Sequence, residues 1–402
     1  MSDLTRQPVI VSAARTPVGR FLGGLAPLSA TELGAIAIRA ALSRAGVSPS
    51  DVGNVIMGNV LQAGVGQAPA RQAALKAGLP GTVSALTVNK VCGSGLEAVM
   101  LAAASIKAGD EQVVVAGGME SMSNTPYYVS GYRGGVKFGD QTMVDGLIKD
   151  GLWCSFCDVH MGSHADYTAR KAGVTREDQD VFAALSHSKA VAAIEAGKFK
   201  AEIVPVEIAG RKGTTTVDTD EGPRKDTTVE TLAKLRPAFP VKGKSDELTV
   251  TAGNASTLND GAAAVVVVSE QFAIDHKLEI LARITGYATG GGEPQDLFFA
   301  PIVAVEKLMA KTGAKIGDYD LIEANEAFAS QSIADARGLA WDTARVNVNG
   351  GALALGHPLG ASGARILTTL LYALKDRGKR TGLATLCLGG GNAVAMSVER
   401  PS

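Results

Sequence analysis

Two cysteines occupy positions in the sequence where backbone N–H groups could support reactive chemistry. Cys92 lies in V-N-K-V-C-G-S-G, between strand-like residues and an apolar helical stretch, which predicts its thiol at a helix N-terminus. The free backbone N–H groups and the dipole of such a terminus favour a thiolate, the nucleophilic form of cysteine. Cys387 ends a hydrophobic strand and precedes Gly389-Gly390-Gly391. Backbone N–H groups in such a run can stabilise a developing negative oxygen.

A histidine and an asparagine are further candidates. His357 lies in the glycine-rich stretch G-G-A-L-A-L-G-H-P-L-G-A-S-G, which could present its ring to a cavity, and Asn325 follows a predicted strand in I-E-A-N-E-A-F-A. Each candidate also has an ordinary structural interpretation. Free cysteines often pack as small hydrophobes, and asparagines often cap turns. Taken one at a time, these residues leave both interpretations open.

A C-x-x-C pair, Cys154 and Cys157, is followed closely by His160 and His164. A zinc finger needs about a dozen residues between its cysteine and histidine pairs, and this stretch has two. A thioredoxin-like motif needs a βαβ context, which the surrounding loop lacks. We therefore expect neither a metal site nor a redox motif here, and we expect His187 and His276 on helix surfaces.

Composition excludes several other classes of protein. The 402 residues carry 39 basic and 40 acidic side chains, a net charge of -1, which argues against binding to a nucleic-acid backbone. A hydrophobic content of 46% with 20% charged residues is typical of a folded globular chain. No membrane span, dinucleotide-binding G-x-G-x-x-G motif or P-loop is expected. The unusual feature is glycine, 48 of 402 residues, or about 12% against a usual ~7%.

The chain contains an internal repeat. Residues 30–60 and 300–327 share one order: an apolar-periodic helix, a glycine (Gly46 and Gly313), an aspartate (Asp51 and Asp318) and a short strand. The offset is 313 − 46 = 267 and 318 − 51 = 267. A second pair of matching blocks, each a helix and a strand, surrounds Gly95 and Gly363, with 363 − 95 = 268. The sequence thus predicts two related βα halves.

Residues 123–246 interrupt this repeat with a loop-rich composition and one predicted helix, Thr175–Gly197. The predicted organisation is an N-terminal half, 1–122 with 247–274, a loop domain at 123–246 and a C-terminal half at 275–402. Insertions of this kind often carry binding surfaces.

Taken together and in register, the motifs resemble the thiolase family. Beyond the blocks at Cys92, Asn325, His357 and Cys387, the matches are G-G-M-E-S-M at 117–122, H-M-G at 160–162, K-L-R-P-A-F at 234–239 and T-A-G-N-A-S-T-L-N-D-G-A-A-A at 251–264. The resemblance spans nearly the whole chain. It implies an α/β thiolase fold: duplicated halves in a five-layered αβαβα sandwich with an inserted loop domain, usually assembled as a homotetramer, a dimer of dimers.

The resemblance also implies roles for the candidates. Cys92 is the nucleophile that becomes acylated, and His357 accepts its proton. Cys387 acts as base in synthesis and as acid in thiolysis. One oxyanion hole consists of His357 and a water held by Asn325, and a second of the backbone N–H groups of Cys92 and Gly389.

The remaining implied site residues would contact substrate or coenzyme A. They are Leu152, His160, Met161, Arg224, Thr231, Phe239, Ala252, Ser256, Ala327 and Phe328, with His187 a further candidate. Of the basic residues in the loop domain, Arg211, Lys212, Arg224 and Lys225, the resemblance singles out Arg224 near the adenine. Phe298 or Phe299 could narrow or reshape the acyl pocket.

The implied activity is that of an acetyl-CoA C-acetyltransferase, which joins two acetyl-CoA to acetoacetyl-CoA and CoA through an acetyl-cysteine. The H-M-G block resembles short-chain members. A broader-range 3-ketoacyl-CoA or 3-oxoadipyl-CoA thiolase and a non-catalytic thiolase-like lipid carrier remain alternatives. We expect no cofactor, since CoA is itself substrate and product. We expect a cytoplasmic location, because no signal-like leader precedes the first predicted strand.

Overall fold

A computed structural model describes residues 3–211, 213–239 and 248–401. Its extended segments, numbered in chain order, are β1 Pro8–Arg15, β2 Gly19–Arg20, β3 Asn54–Gly58, β4 Ser84–Val88, β5 Val113–Ser121, β6 Tyr127–Tyr128, β7 Val144–Asp145, β8 Trp153–Cys154, β9 Val159–His160, β10 Val206–Gly210, β11 Gly213–Val217, β12 Asn259–Ser269, β13 Ala282–Gly291, β14 Leu321–Ala324, β15 Thr381–Leu388 and β16 Asn392–Glu399.

The helices are numbered in the same way. They are α1 Ala30–Ala45, α2 Pro69–Lys76, α3 Ser94–Ala108, α4 Met161–Ala172, α5 Arg176–Glu195, α6 Val229–Leu232, α7 Glu270–Asp275, α8 Ala300–Thr312, α9 Ala329–Leu339, α10 Ala352–Leu355 and α11 Leu359–Asp376. Short 3-10 segments occur between them, and Ile148–Leu152 forms one π-helical turn.

The large strands form one continuous path in the order β14-β15-β16-β13-β1-β12-β5-β3-β4. In the N-terminal half, β3 runs parallel to β4 and β5, and β5-β12-β1 are antiparallel. In the C-terminal half, β14 runs parallel to β15, and β15-β16-β13 are antiparallel. The halves meet where Val9 and Ile10 pair with Arg283 and Ala282.

The predicted repeat is confirmed. Helices α1 and α8 both end at a left-handed glycine, Gly46 and Gly313, and both lead through a 3-10 turn into a buried parallel strand. The strand starts differ by 321 − 54 = 267 for β3 and β14 and by 381 − 113 = 268 for β5 and β15. Capping by glycine suits these positions because it adopts positive φ without steric cost.

The hydrophobic clusters define five layers, as the resemblance predicted. Helices α1 and α2 cover the outer face of the N-terminal strands, and α8 covers that of the C-terminal strands. Helices α3 and α11 form the central layer between the N-terminal and C-terminal parts of this sheet. The stretch Val91–Ala108, which includes α3, has a mean hydropathy of 1.3 over 18 residues, enough by length and composition to cross a membrane. In this fold it is the core helix between the two parts of the sheet.

The two central helices cross backbone to backbone at a pair of glycines. A Cβ on Gly95 of α3 would lie 2.8 Å from the Ala364 nitrogen, and a Cβ on Gly363 of α11 would collide with Leu96. Any side chain at either position would force the helices apart. This close approach brings the N-terminal ends of both helices, and therefore Cys92 and His357, to the same region of the molecule.

The inserted segment contains more regular structure than the sequence suggested. The predicted helix is α5, Arg176–Glu195, but the segment also contains α4, which the sequence reading missed. Its attachment to the N-terminal half includes a buried ion cluster: Arg15 Nε donates to Glu202 at 2.6 Å, and its Nη atoms donate to Asp220 at 2.7 and 2.9 Å. The predicted boundaries at 246 and 247 lie outside the described residues.

Candidate active site

A cavity of about 680 Å³ gathers most of the residues predicted to be functional. Its lining includes twelve of them: Cys92, Leu152, His160, Met161, Phe239, Ala252, Ser256, Ala327, Phe328, His357, Cys387 and Gly389. These residues come from both halves and from the insertion. The fold therefore assembles one site from segments that are far apart in the sequence.

A sharp turn between β4 and α3 presents Cys92 to this cavity. Val91, the preceding residue, has a positive φ of 45°, a conformation that is strained for a β-branched side chain. Ser94 braces the turn, because its Oγ donates to the Val91 carbonyl at 2.6 Å and accepts from the Lys90 N–H at 2.8 Å. The strain at Val91 is thus compensated locally, and the thiol is held just before the helix.

The Cys92 sulfur lies against two backbone N–H groups, those of Gly389 and of Cys92 itself. Burial raises the pKa of the Cys92 thiol to about 12, and these two N–H groups only partly counteract the increase. Burial therefore opposes the thiolate that the helix N-terminus favours. The same pair of N–H groups could hold a thioester oxygen once substrate displaces the sulfur from them.

His357 is fixed on several sides. Its backbone N–H donates to Asn259 Oδ1 at 2.8 Å, and its Nδ1 lies 2.6 Å from Ser362 Oγ. Ser362 in turn donates to the Pro358 carbonyl at 2.9 Å, so Nδ1 carries the proton and donates to the hydroxyl. This leaves Nε2 as the nitrogen with a free lone pair. Burial, and secondly the charge of Arg365, lower the pKa of His357 to about 3.

Asn325 lies behind the histidine rather than in the cavity wall. Its Nδ2 is 3.5 Å from His357 Nδ1, and its backbone N–H donates to the Thr385 carbonyl at 3.0 Å. Its buried Oδ1 accepts no hydrogen bond from the described residues. Such an oxygen is available to a water molecule, which agrees with the role that the resemblance implies for Asn325.

Cys387 is buried at the end of β15, where the strand turns at Gly389–Gly391 into β16. Burial and then the neighbouring Cys92 raise the pKa of its thiol well above the ordinary value. Cys387 is accordingly a thiol at rest, and the electrostatic effect of Cys92 on its pKa shows that the two sulfurs lie close together.

Aromatic side chains form one wall of the cavity. His160 stacks on Phe239 with ring centroids 4.5 Å apart, and Phe328 meets Phe298 edge-on at 5.3 Å. A Cβ on Gly162 would collide with the Phe239 ring, so only glycine permits this packing after His160 and Met161. Of the two phenylalanines considered from sequence, Phe298 lines the cavity, whereas the other ring, Phe299, lies under the Lys171 ammonium.

Two predicted CoA contacts do not line the cavity. Arg224 is exposed, and its backbone N–H donates to His187 Nδ1 at 3.2 Å. Thr231 is exposed, and its hydroxyl accepts from the Thr228 N–H at 2.9 Å in the capping box of α6. Their roles remain predictions, and Lys212 lies outside the described residues. His187 is 2% exposed, so its predicted surface position is wrong, although His276 is exposed as expected.

Several residues that no motif indicated position or line the site. Ser362 orients His357 from five residues away on the first turns of α11, and a hydroxyl at that spacing was the available signal. Buried Glu120 accepts from the backbone of Val60, Leu61 and Gly360 at 2.8–3.1 Å, tying β5 to the start of α11. The cavity lining also includes Arg20, Phe21, Tyr127 and Asp145, which no motif indicated.

The fold and the site together define a class of protein. A half-buried cysteine that faces two backbone N–H groups lies with a histidine and a second cysteine in one cavity. This site, placed between the duplicated halves of an αβαβα sandwich, is that of an acyltransferase. Residues 8–271 match the thiolase N-terminal domain and residues 278–400 the thiolase C-terminal domain. The chain belongs to the thiolase family.

Close relatives cover almost the whole chain. It is 54% identical over 393 residues to the acetyl-CoA acetyltransferase of Pseudomonas aeruginosa, covering 98% of this chain and 99% of the relative. Identity to the enzyme of that name from Paracoccus denitrificans is 54% over 395 residues, with the same coverage. The crystal structure of the Bacillus anthracis acetyl-CoA acetyltransferase superposes with a TM-score of 0.95 at 41% identity, covering 98% of this chain and 99% of that one.

Proposed function

We propose that this chain is an acetyl-CoA C-acetyltransferase. It catalyses the reversible condensation of two acetyl-CoA to acetoacetyl-CoA and CoA through an acetyl group on Cys92. The observation that carries the proposal is the Cys92 sulfur lying against the N–H groups of Cys92 and Gly389, in one cavity with His357 and Cys387. The names of the relatives at about 54% identity support the same activity.

The first half-reaction acylates the enzyme. Cys92 transfers its proton to Nε2 of His357 as its sulfur attacks the thioester carbonyl, and the CoA thiolate leaves with that proton. Burial raises the pKa of the Cys92 thiol and lowers that of His357, which disfavours an ion pair of thiolate and imidazolium before the attack. Proton transfer therefore accompanies bond formation, when the N–H groups of Cys92 and Gly389 stabilise the new oxyanion.

The second half-reaction forms the carbon–carbon bond. Cys387 releases its thiol proton to solvent and, as thiolate, removes a proton from the methyl group of a second acetyl-CoA, while His357 with Asn325 stabilises the enolate oxygen. The carbanion attacks the acetyl carbonyl, and the Cys92 sulfur leaves and takes up a proton from solvent. Two cysteines in different environments can thus hold different protonation states. The chemistry requires no group beyond these side chains and the thioesters.

Partial reactions test this division of roles. Exchange of labelled CoA into acetyl-CoA requires only the acyl-enzyme, whereas condensation requires both half-reactions. We expect Cys92→Ala to abolish exchange and condensation, and Cys387→Ala to retain exchange but condense poorly. Exchange that survives in Cys92→Ala would refute the proposal.

A short acyl pocket is part of the proposal, and Met161 and Phe298 in the cavity lining support it. We expect thiolysis of acetoacetyl-CoA to exceed that of a long 3-ketoacyl-CoA. Phe298→Ala should raise the relative rate on the long substrate, and Phe299→Ala, next in sequence but outside the lining, serves as the matched control. Equal turnover of both substrates by the unaltered enzyme would favour the broader-range alternative.

A homotetramer completes the proposed assembly. The inserted segment exposes a series of large apolar side chains, Tyr127, Tyr132, Phe138 and Met143. Exposed apolar surface of this kind marks interaction sites, which supports a second copy of the chain as its occupant. Light scattering on the purified protein should give four chains per particle, and a monomer would overturn this assignment.

A cytoplasmic location also remains a proposal. All four cysteines are free thiols, which supports a reducing compartment. Fractionation of cells expressing the full chain should recover it with cytosolic markers, and recovery in a membrane or organelle fraction would contradict the proposal.

A further inference from the structure

A cluster of metal-ligand side chains lies outside the cavity lining. The thiols of Cys154 and Cys157 and one ring nitrogen of His164 lie within 4.8 Å of one another. The cysteines belong to the β8–β9 hairpin, and His164 lies in the first turn of α4. The spacing from Cys157, two residues to His160 and six to His164, does not match that of a zinc finger. The structure brings in His164 instead, while His160 Nδ1 accepts a hydrogen bond from the Gly162 N–H at 3.0 Å.

The cluster has features of a preformed ligand set. Cys154 and His164 are each 2% exposed. His164 Nε2 is buried and has no hydrogen-bond partner within the described part of the chain, a costly arrangement unless a ligand completes it. The Cys157 backbone N–H donates to Cys154 Sγ at 3.4 Å, and the Gln295 carbonyl accepts from the histidine ring. Contacts of this kind orient metal ligands.

We propose that Cys154, Cys157 and His164 bind one Zn²⁺ ion, with water in the fourth position. Two thiolates and one imidazole suit zinc, which adopts tetrahedral geometry with these ligands. Zinc–ligand bonds of about 2.0–2.3 Å place tetrahedral ligand atoms roughly 3.5–3.8 Å apart, so a small contraction of the cluster suffices. Cys157 is exposed, which gives the ion a path of entry. Binding releases the two thiol protons to solvent and involves no change of oxidation state.

The bound ion would brace one wall of the active site. The hairpin that contains both cysteines ends at His160, and His160 and Met161 line the cavity. Phe156, in the same hairpin, lies close to Gly390, because a Cβ on Gly390 would be 3.2 Å from the Phe156 ring. Gly390 follows Gly389, the proposed oxyanion donor. In this proposal the ion and its three ligands hold the hairpin in place against the cavity wall, and the ion takes no part in the acyl transfer itself.

Zinc titration of the reduced full-length chain tests the proposal. The catalytic thiols could also bind zinc, so the parent protein for this experiment is Cys92→Ser/Cys387→Ser. We expect one Zn²⁺ per chain by competition with a chromophoric chelator, and a thiolate-to-metal absorption band when Co²⁺ replaces zinc. Cys157→Ser should weaken binding by more than the about 10–100-fold that loss of an outer-shell partner costs. His164→Ala should do the same.

Two controls separate this result from non-specific binding and from misfolding. His276→Ala removes an exposed histidine elsewhere and should leave the zinc affinity unchanged. Cys157 is exposed, so Cys157→Ser should fold normally, and its melting temperature should no longer rise with zinc as that of the parent does. No stoichiometric binding by the parent, or equal affinity in the parent and Cys157→Ser, would overturn the proposal. Neither outcome bears on acyl transfer, which the exchange assay measures separately.

Discussion

Ser362 provides a sharp test of how the histidine is oriented. It does not line the cavity, yet its buried Oγ lies 2.6 Å from Nδ1 of His357 and donates a hydrogen bond to the Pro358 carbonyl. Ser362→Ala removes the acceptor that keeps the proton on Nδ1. The ring proton can then move to Nε2, and a protonated Nε2 cannot accept the Cys92 proton.

The expected size of the effect follows from burial. Leaving a buried donor without its partner costs about 1–3 kcal/mol, which corresponds to a kcat lower by about 5- to 160-fold at 1.36 kcal/mol per factor of ten. We expect KM for acetoacetyl-CoA to change little, because Ser362 does not contact the cavity. Steady-state thiolysis kinetics measures both constants.

The matched control lies on the same helix. Thr368 is buried in α11, and its Oγ1 has no partner among the residues that the structure describes. Thr368→Val should therefore leave kcat unchanged. Wild-type kcat in Ser362→Ala, or an equal loss in both variants, would refute the role assigned to this hydroxyl.

Three further predictions concern the oxyanion donor, the fold and the nucleophile. In Gly389→Ala the new Cβ would lie 3.2 Å from Val91 Cγ1, so the backbone that carries the Gly389 N–H should shift slightly. This displacement should lower kcat, by less than the about 10²–10³-fold cost of losing a donor. Arg15→Met leaves two buried carboxylates unpaired and should lower the free energy of unfolding in urea by about 3–5 kcal/mol, whereas Lys198→Met, at an exposed pair, should cost at most about 1 kcal/mol. Alkylation of Cys92, followed by peptide mass spectrometry, should keep accelerating with pH up to pH 9 and beyond, because the thiol pKa is about 12 and only the thiolate reacts.

Each of these predictions has a contradicting outcome. Unchanged kcat in Gly389→Ala would argue against its N–H as a donor. Similar urea midpoints for Arg15→Met and Lys198→Met would mean that the buried ion cluster does not stabilise the fold. An alkylation rate that levels off near pH 7 would show that Cys92 is a thiolate at neutral pH, as its position at a helix N-terminus suggested.

Local patterns made much of the fold predictable. The helix-glycine-aspartate-strand order at Gly46 and Gly313 was visible because glycine caps and apolar periodicity are encoded within a few residues. Helix α4 escaped detection because its buried face contains the polar residues His164, Asp166 and Thr168 beside Ala165. Packing against Phe239 and the neighbouring segments, not intrinsic sequence pattern, accounts for that helix.

The sequence indicated which residues form the candidate site better than it indicated their protonation. Cys92, His357 and Cys387 stand in distinctive motifs, and the structure places them in one cavity. Their protonation was not predictable, because burial by the other half of the chain outweighs the local field of the helix terminus. The buried position of His187 and the approach of His164 to Cys154 likewise depend on contacts that no short stretch of sequence contains.

The central claim is that Cys92 carries the acetyl group, and the most direct test is peptide mass spectrometry after brief incubation with acetyl-CoA. In Cys387→Ala, where condensation is impaired, we predict one acetyl group per chain on the peptide that contains Cys92. The same peptide should be unmodified in Cys92→Ala, which keeps the rest of the cavity. An acetyl group found on another residue, or an equally labelled Cys92→Ala protein, would contradict the account.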